Sequence, residues 1–299
     1  MPLVGTGAVV TPAARAGHGV GAFNVVQLEH AEAVVDGAAQ AGSPVVLQIS
    51  ENAVRYHGAL APLATAVLSI AEAAPVPVAV HLDHATDAVL VDQAVELGFS
   101  SVMFDASALD YEDNVRATAK VVARCHTAGV WVEAELGEVG GKDGVHAPGA
   151  RTSPDEAVAF VAATGVDALA VAVGTSHTML TRDAVLDFAL IRALRAAVPV
   201  PLVLHGSSGV ADEHLTRAVE HGMTKINIAT HLNRVFTTAV RYALAENPGM
   251  VDTRRYLAPG RTAMGHEVAR LLTVLNAPVV RPAANPVQRT ADRIQRTSA

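Results

Sequence analysis

The chain lacks most features that mark secreted, membrane-spanning or nucleic-acid-binding proteins. Its 299 residues include one cysteine, Cys125, which excludes an intramolecular disulfide and a cysteine-rich zinc site. The formal net charge is −7 and no basic stripe is present, so we expect no nucleic-acid partner. No signal peptide is recognised, and no apolar run approaches the about 18 residues of a membrane span. We therefore expect a cytoplasmic protein with no membrane partner.

Aromatic residues are also scarce, at 4%, whereas hydrophobic residues make up 51% of the chain. Short runs of Val, Ala and Leu alternate with longer amphipathic segments. Eight runs are predicted as strands: 20–24, 44–50, 76–81, 101–105, 130–135, 168–173, 201–205 and 225–228. The helical segments between and after them are 28–41, 87–97, 114–128, 155–164, 183–197, 212–221, 233–245 and 261–275.

This alternation predicts an α/β protein, a (β/α)8 TIM barrel with extra C-terminal helices. A doubly wound open sheet is the alternative, but it would usually carry a glycine-rich dinucleotide turn after its first strand, and none is present. We expect a single domain over residues 1–279 and a flexible tail over 280–299, where the composition turns to Pro, Asn, Arg and Thr. A long glycine-rich polar segment, 137–151, is predicted to be a functional or mobile loop.

Three histidines, His84, His177 and His205, each lie just beyond a predicted strand. The carboxyl ends of barrel strands converge on one rim, so these side chains are expected to meet there. Three neutral imidazoles with an open fourth position are typical of a catalytic zinc site. Asp83 precedes the first of them and could act as a general acid or base, or alternatively cap the following helix.

Further polar residues are expected at the same rim. Glu133 and Glu135 share one face of the fifth strand, and they need a cation if buried, either by binding the metal or by orienting a histidine. A surface edge of the sheet is the alternative interpretation. The small-residue loops 205–209 and 227–230 follow strands seven and eight, which is the usual phosphate pocket of this fold.

With these residues in view, the chain resembles the class II fructose-bisphosphate/tagatose-bisphosphate aldolases over about residues 23–275. Five motifs carry the resemblance in the family's order. They are His-Leu-Asp-His (81–84), Val-Glu-Ala-Glu-Leu-Gly (132–137), Gly-Thr-Ser-His (174–177), Leu-His-Gly-Ser-Ser-Gly (204–209) and Lys-Ile-Asn-Ile-Ala-Thr (225–230).

The resemblance implies a role for each matching position. His84, His177 and His205 would bind the catalytic Zn²⁺, and Asp83 would exchange a proton with the aldehyde oxygen. Asp105 and Glu135 occupy positions associated with a second or alternative metal location. The positions that would contact a small-molecule sugar phosphate are Asn24, Ser50, Thr178, Gly206, Ser207, Ser208, Asn227, Ile228, Ala229 and Thr230. The family also uses a monovalent cation, Na⁺ or K⁺, near the phosphate loops.

The chain departs from the family pattern at three places. The loop base, usually glutamate, is matched by Asp143, which is one methylene shorter. Thr178 stands where a glycine normally follows the second histidine. Where one branch has an arginine before Gly260, this chain has Ala258 and Pro259. Possible substitutes for that arginine lie nearby, at Arg254, Arg255 and Arg261.

The predicted activity is that of a zinc-dependent ketose-bisphosphate aldolase, a lyase of carbohydrate metabolism and glycolysis. It would reversibly cleave fructose 1,6-bisphosphate or tagatose 1,6-bisphosphate to dihydroxyacetone phosphate and glyceraldehyde 3-phosphate, as a homodimer or homotetramer. An alternative is a different aldehyde partner. A metal-dependent barrel hydrolase is less favoured, because the first strand ends in Phe23-Asn24 rather than His-x-His. A non-catalytic sugar-phosphate-binding barrel would follow if Asp143 cannot act as the base.

Overall fold

A computed structural model describes residues 2–136, 151–176 and 181–276. Its eight strands are all parallel and pair in sequence order, with β1 beside β8, so the sheet closes into a barrel. This confirms the predicted TIM barrel and rules out the open sheet. The strands are β1 Val20–Asn24, β2 Val45–Ser50, β3 Val78–Ala85, β4 Ser101–Phe104, β5 Trp131–Glu135, β6 Ala168–Ala170, β7 Leu202–Leu204 and β8 Met223–Ile228.

Eleven α-helices surround or close the barrel within the described ranges, and a 3₁₀ turn, Ser207–Gly209, follows β7. They are α1 Thr6–Ala16, α2 Leu28–Ala41, α3 Glu51–His57, α4 Ala61–Ala73, α5 Ala88–Glu96, α6 Tyr111–Thr127, α7 Pro154–Thr164, α8 Phe188–Ala197, α9 Asp212–His221, α10 Thr230–Glu246 and α11 Thr253–Leu275. None of these helices combines the length and the apolar character that crossing a bilayer requires. The tail predicted at 280–299 lies outside the described residues.

Helix boundaries differ from the sequence prediction where side-chain caps decide them. α8 begins at Phe188 rather than 183, because the Asp187 carboxylate accepts a hydrogen bond from the Leu190 amide at 2.9 Å. α11 begins at Thr253, capped by Asp252, and continues through Pro259. Cys125 is buried in α6, and burial raises the pKa of its thiol to about 11.

Side chains alternate along the strands, except at the carboxyl end of β3, as parallel strands between two packed layers require. Outward residues such as Leu47 and Ile49 pack against the helices in one large core. Inward residues near the amino ends of the strands are small and apolar, and Ala22, Val46 and Ala79 pack with Val9 of α1. The unpredicted α1 therefore closes the floor of the barrel.

α1 is also attached to the floor through hydroxyl groups. Thr6 Oγ1 lies 2.6 Å from Ser101 Oγ and 3.0 Å from Ser100 Oγ. Ser101 Oγ lies in turn 2.7 Å from Nδ1 of His81, one strand away. A hydrogen-bonded series thus joins the floor to the polar residues higher in the barrel.

Candidate active site

The end of β3 carries a local distortion that decides where its side chains point. β3 continues to Ala85, four residues beyond its predicted end, and its register against β4 shifts between Leu82 and Ala85. His84 lies within this shift with φ at +50°, a left-handed conformation that is unusual for a residue other than glycine. Consecutive strand residues normally face opposite sides, so the distortion brings both Asp83 and His84 to the barrel mouth.

His84 and His205 face each other across this mouth. His84 Nε2 lies 2.9 Å from His205 Nδ1. Each ring's other nitrogen lies beside a carboxylate: His84 Nδ1 is 2.8 Å from Asp105 Oδ2, and His205 Nε2 is 2.9 Å from Glu133 Oε1. A carboxylate that accepts the N–H of one ring nitrogen leaves a lone pair on the other. Both lone pairs are then directed at one position between the rings.

Glu135 completes a possible metal site. Its carboxylate and the ligand nitrogens of His84 and His205 all lie within 4.8 Å of one another. Two imidazoles and one carboxylate form a donor set that suits zinc. The sequence assigned Glu135 to a second or alternative metal position, whereas here it lies with both histidines. His177, the third predicted ligand, lies outside the described residues, as do Thr178 and the candidate base Asp143.

The electrostatics of this cluster favour a bound cation. Burial lowers the pKa of His84, but the charges of Asp83, Asp105 and Glu135 outweigh it and raise that pKa to about 10. Burial and the neighbouring His84 hold the pKa of His205 well below its usual value. The pKa of the Asp105 carboxyl is well below its usual range, because hydrogen bonds from His84 and Ser107 outweigh its burial. The carboxylates therefore stabilise positive charge between them, which a divalent metal ion would supply.

Asp83 is held beside this cluster by two asparagine amides. Its Oδ2 accepts a hydrogen bond from Asn24 Nδ2 at 2.8 Å, and its Oδ1 lies 3.5 Å from Asn227 Nδ2. Asp83 does not cap the following helix. Asp87 does so, accepting from the Val89 amide at 2.8 Å. The helix-cap interpretation of Asp83 was therefore wrong, and its carboxylate is not used to cap a helix.

One residue that sequence reasoning missed is Lys225. Its Nζ lies 2.9 Å from Glu133 Oε2 and donates to Asn227 Oδ1 at 2.9 Å. The side chains of Lys225 and Glu133 are both 0% exposed, so a surface edge for Glu133 is ruled out. The available signal was a lysine inside an apolar strand, two residues before Asn227 and therefore on the same inward face.

The loops after β7 and β8 contain the residues that the sequence predicted to contact a phosphate. Gly206 has φ at +68°, and a Cβ there would lie 2.6 Å from the Ser176 carbonyl oxygen, so only glycine fits. Ser208 Oγ accepts hydrogen bonds from the amides of Ala229 and His231, at 3.2 and 3.1 Å, and so caps α10 from outside the helix. With both bonds accepted, the Ser208 O–H remains able to donate.

Other predicted contact residues have structural roles here. Ser207 Oγ donates to the Leu204 carbonyl at 3.0 Å, and the Ile228 side chain belongs to the core between barrel and helices. Ser50 caps α3 by accepting from the Ala53 amide at 3.2 Å. Thr230 is the first residue of α10. For Ser207 and Ile228, the backbone is the part that is left to face a ligand.

Comparisons with known proteins agree with this geometry. The model of the family described as fructose-bisphosphate aldolase class-II matches residues 4–278. The chain belongs to this family. It is 40% identical over 268 residues to a fructose-bisphosphate aldolase of Geobacillus stearothermophilus, covering 88% of this chain and 93% of that protein. Over 287 residues it is 40% identical to a fructose-bisphosphate aldolase of Thermus caldophilus, covering 87% and 93%.

A solved structure agrees in fold as well as sequence. The crystal structure of the YdjI aldolase from Escherichia coli K12 has a TM-score of 0.78 and 32% identity, covering 92% of this chain and 98% of that one. The class-II family assignment makes this chain an aldolase, which is a lyase, as the sequence predicted. The barrel-hydrolase hypothesis was therefore wrong.

Proposed function

We propose that this class-II aldolase reversibly cleaves a ketose 1,6-bisphosphate, fructose or tagatose 1,6-bisphosphate, to dihydroxyacetone phosphate and glyceraldehyde 3-phosphate. One observation supports this most strongly. A buried acid, Asp83, stands between two amides and beside a pair of histidines whose ligand nitrogens are 2.9 Å apart. An acid adjacent to a metal position is the arrangement that metal-assisted aldol chemistry needs.

We assign the metal as zinc, with His84, His177 and His205 as ligands. Asp105 and Glu135 form a second or alternative position, and the distances from Glu135 to both histidines support a metal held there. When bound, zinc polarises the ketose carbonyl and stabilises the enediolate charge that forms on C–C cleavage.

Asp83 carries the proton of the C–C step. In cleavage its carboxylate takes the proton of the C4 hydroxyl as the C3–C4 bond breaks, and in condensation it returns that proton to the aldehyde oxygen. The amides of Asn24 and Asn227 hold this carboxylate in place. Asp143 is our candidate for exchanging the proton at C3 of dihydroxyacetone phosphate.

The phosphate of dihydroxyacetone phosphate would lie at the loops after β7 and β8. Gly206 permits a close backbone approach, Ser208 offers its O–H, and Ala229 immediately precedes the 17-residue helix α10, which begins at Thr230. Backbone N–H groups at the start of a helix favour an anion. A monovalent cation, Na⁺ or K⁺, is proposed beside the same loops.

The aldehyde partner is the second question about the substrate, and one observation favours an alternative to glyceraldehyde 3-phosphate. Arg261 donates to Glu32 and Asp36, at 2.8 and 2.9 Å, and Arg254 is 88% exposed and paired with Asp252. Two of the three arginines that could hold a distal phosphate are thus engaged by carboxylates. An aldehyde without a phosphate group is therefore our second candidate.

The decisive experiment measures dihydroxyacetone phosphate released from fructose and tagatose 1,6-bisphosphate, with and without a chelator. We expect release that the chelator abolishes and zinc restores. Cleavage that survives chelation but is inactivated by borohydride would indicate a lysine Schiff base and contradict the zinc assignment. If neither ketose is cleaved but the C3 proton of dihydroxyacetone phosphate exchanges with solvent, the different-aldehyde alternative is correct. Loss of both reactions would favour a binding barrel.

We also propose that the protein is cytoplasmic and forms a homodimer or homotetramer. Light scattering of the purified protein measures the assembly directly, and a monomer at micromolar concentration would contradict it.

A further inference from the structure

Lys225 is a fully buried cation at the centre of the barrel. Its side chain and that of Glu133 are both 0% exposed, and their nearest charged atoms lie 2.9 Å apart. Buried ion pairs contribute little net stability, because desolvation opposes their attraction, and apolar residues of similar size often replace them without loss. The pair therefore needs another explanation, and its two hydrogen-bonded neighbours provide one.

The first neighbour is reached through Glu133. One carboxylate oxygen, Oε2, lies at the Lys225 ammonium, and the other, Oε1, lies 2.9 Å from His205 Nε2. A carboxylate has acceptors only, so the His205 nitrogen facing it must carry the proton. The opposite nitrogen, Nδ1, then keeps the lone pair directed at His84 and Glu135. Lys225 fixes which Glu133 oxygen is available for this contact.

The second neighbour is Asn227. An ammonium group has donors only, so the Asn227 atom 2.9 Å from Lys225 Nζ must be the carbonyl oxygen Oδ1. The amide nitrogen Nδ2 is consequently turned away from Lys225 and lies 3.2 Å from His205 Nε2 and 3.5 Å from Asp83 Oδ1. Because His205 Nε2 carries the proton that faces Glu133, the acceptor left for this amide is the Asp83 carboxylate. Without the ammonium, either orientation of this amide would be available, and one of them would set an oxygen against the Asp83 carboxylate.

We propose that Lys225 is a positioning residue that orients the metal ligand His205, through Glu133, and the acid Asp83, through Asn227. The inference rests on the metal site proposed above. One buried cation thereby couples the geometry of the metal site to that of the proton-transferring group.

The test uses variants that remove the charge without leaving an unpaired one. Lys225→Met alone would leave the buried Glu133 carboxylate without its cation, so this change is combined with Glu133→Gln. Lys120→Met is the matched control, because Lys120 is exposed on α6. Zinc affinity is measured by competition with a chromophoric chelator, and the visible spectrum is recorded after loading with Co²⁺. We expect the double variant to bind zinc about 10–100-fold more weakly, with a changed cobalt spectrum. The control should match the wild type.

A second variant covers the case in which the double variant does not fold. Glu133→Gln keeps the shape but must turn an NH₂ group toward either Lys225 or His205, so a lower zinc affinity is again expected. Asn227→Ala tests whether Lys225 acts on Asp83 through Asn227. Its effect on kcat should be smaller in the double variant than in the wild type.

Wild-type zinc affinity and cobalt spectrum in a folded variant would overturn the proposal and leave Lys225 a structural residue. If the effects of Asn227→Ala and of the double variant on kcat are fully additive, the proposal that Lys225 orients Asp83 through Asn227 is wrong. Failure of the wild type to cleave either ketose would instead contradict the proposed function, while the zinc and cobalt measurements would still decide the role of Lys225.

Discussion

The upper and lower halves of the barrel interior are built by the same strands but have opposite chemistry. Moving two residues along β3 changes Ala79 to His81 and then to Asp83, while the outward face stays apolar throughout. The lower half is lined mainly by Val20, Ala22, Val46 and Ala79. The upper half contains Asp83, Glu133, Glu135, His205, Lys225 and Asn227.

This difference shows how one scaffold separates stability from chemistry. The small apolar residues below allow α1 to close the floor, so they contribute packing and exclude water. The polar residues above are buried at a desolvation cost that only hydrogen bonds, ion pairs or a metal ion can offset. Changes in the upper half should therefore affect activity and metal binding, and changes in the lower half should affect stability alone.

The largest effect is expected at Asp83. Asp83→Ala removes the proposed proton-transferring group and should lower kcat about a thousandfold, which raises the activation free energy by about 4 kcal/mol. Zinc content, measured by atomic absorption, should stay at the wild-type level. Asp92→Ala, on the outer helix α5, is the control and should retain full activity. Loss of zinc in Asp83→Ala would show that this residue supports the metal site instead.

Metal removal should lower the free energy of unfolding only through the upper half of the barrel. Zinc at about a thousand times its Kd should raise the free energy of unfolding by about 4 kcal/mol over the chelated protein. His205→Ala should abolish this difference, because it removes a proposed metal ligand at the barrel mouth. His18→Ala, exposed beside the start of β1, should keep it. Chemical unfolding with and without zinc measures both, and a zinc effect that persists in His205→Ala would contradict the assigned site.

A histidine outside the barrel is expected to make the free energy of unfolding depend on pH without involving the metal site. His30 on α2 packs edge-on against Phe236, with ring centroids 4.9 Å apart, and burial lowers its pKa from 6.5 to about 4, outweighing the opposing charge of Glu29. Between these values the unfolded chain binds more protons than the folded one. The folded state should therefore lose roughly 3 kcal/mol as pH falls from 6.5 to 4, and no more below 4.

His30→Leu should flatten this part of the pH dependence. Denaturant unfolding at pH 7.5 and 4.5 measures the effect as a difference between variant and wild type, which cancels contributions from other groups. Equal losses of stability in the two proteins would show that His30 does not carry it.

The smallest effect is expected at the floor. Thr6→Val keeps the shape but removes the hydroxyl that joins Ser100 and Ser101, and should cost about 1–2 kcal/mol in the free energy of unfolding. Zinc affinity should not change. Thr6→Ser retains the hydroxyl and serves as the control. A fall in zinc affinity for Thr6→Val alone would show that the two halves are coupled through His81.

The barrel was predictable because short apolar runs and the amphipathic segments between them are local signals. β1, α2 and α9 begin and end where the sequence predicts. α1 was missed because it packs across the floor of the barrel instead of connecting two strands. It is therefore not part of the strand–helix alternation from which the fold was predicted. α11 was predicted to begin at 261, yet the helix begins at Thr253 and passes through Pro259.

At the site, residue types were predictable but their pairings were not. The sequence identified Asp83, His84, His205 and Glu135, since each closes a strand. It could not show that Glu133 serves His205 while Glu135 lies with the metal ligands, because both share one face of β5. Lys225 was missed for a related reason: its partner lies three strands away around the barrel, and no local pattern records that pairing.

The backbone at His84 has a consequence for how this protein responds to selection. A left-handed φ of +50° disfavours histidine and is relieved by glycine, which adopts that conformation without a Cβ clash. A library screened only for thermal tolerance should therefore enrich glycine at position 84, and each enriched clone should have lost the metal ligand proposed at this position. Position 84 thus distinguishes a screen that rewards a folded barrel from one that rewards a working enzyme.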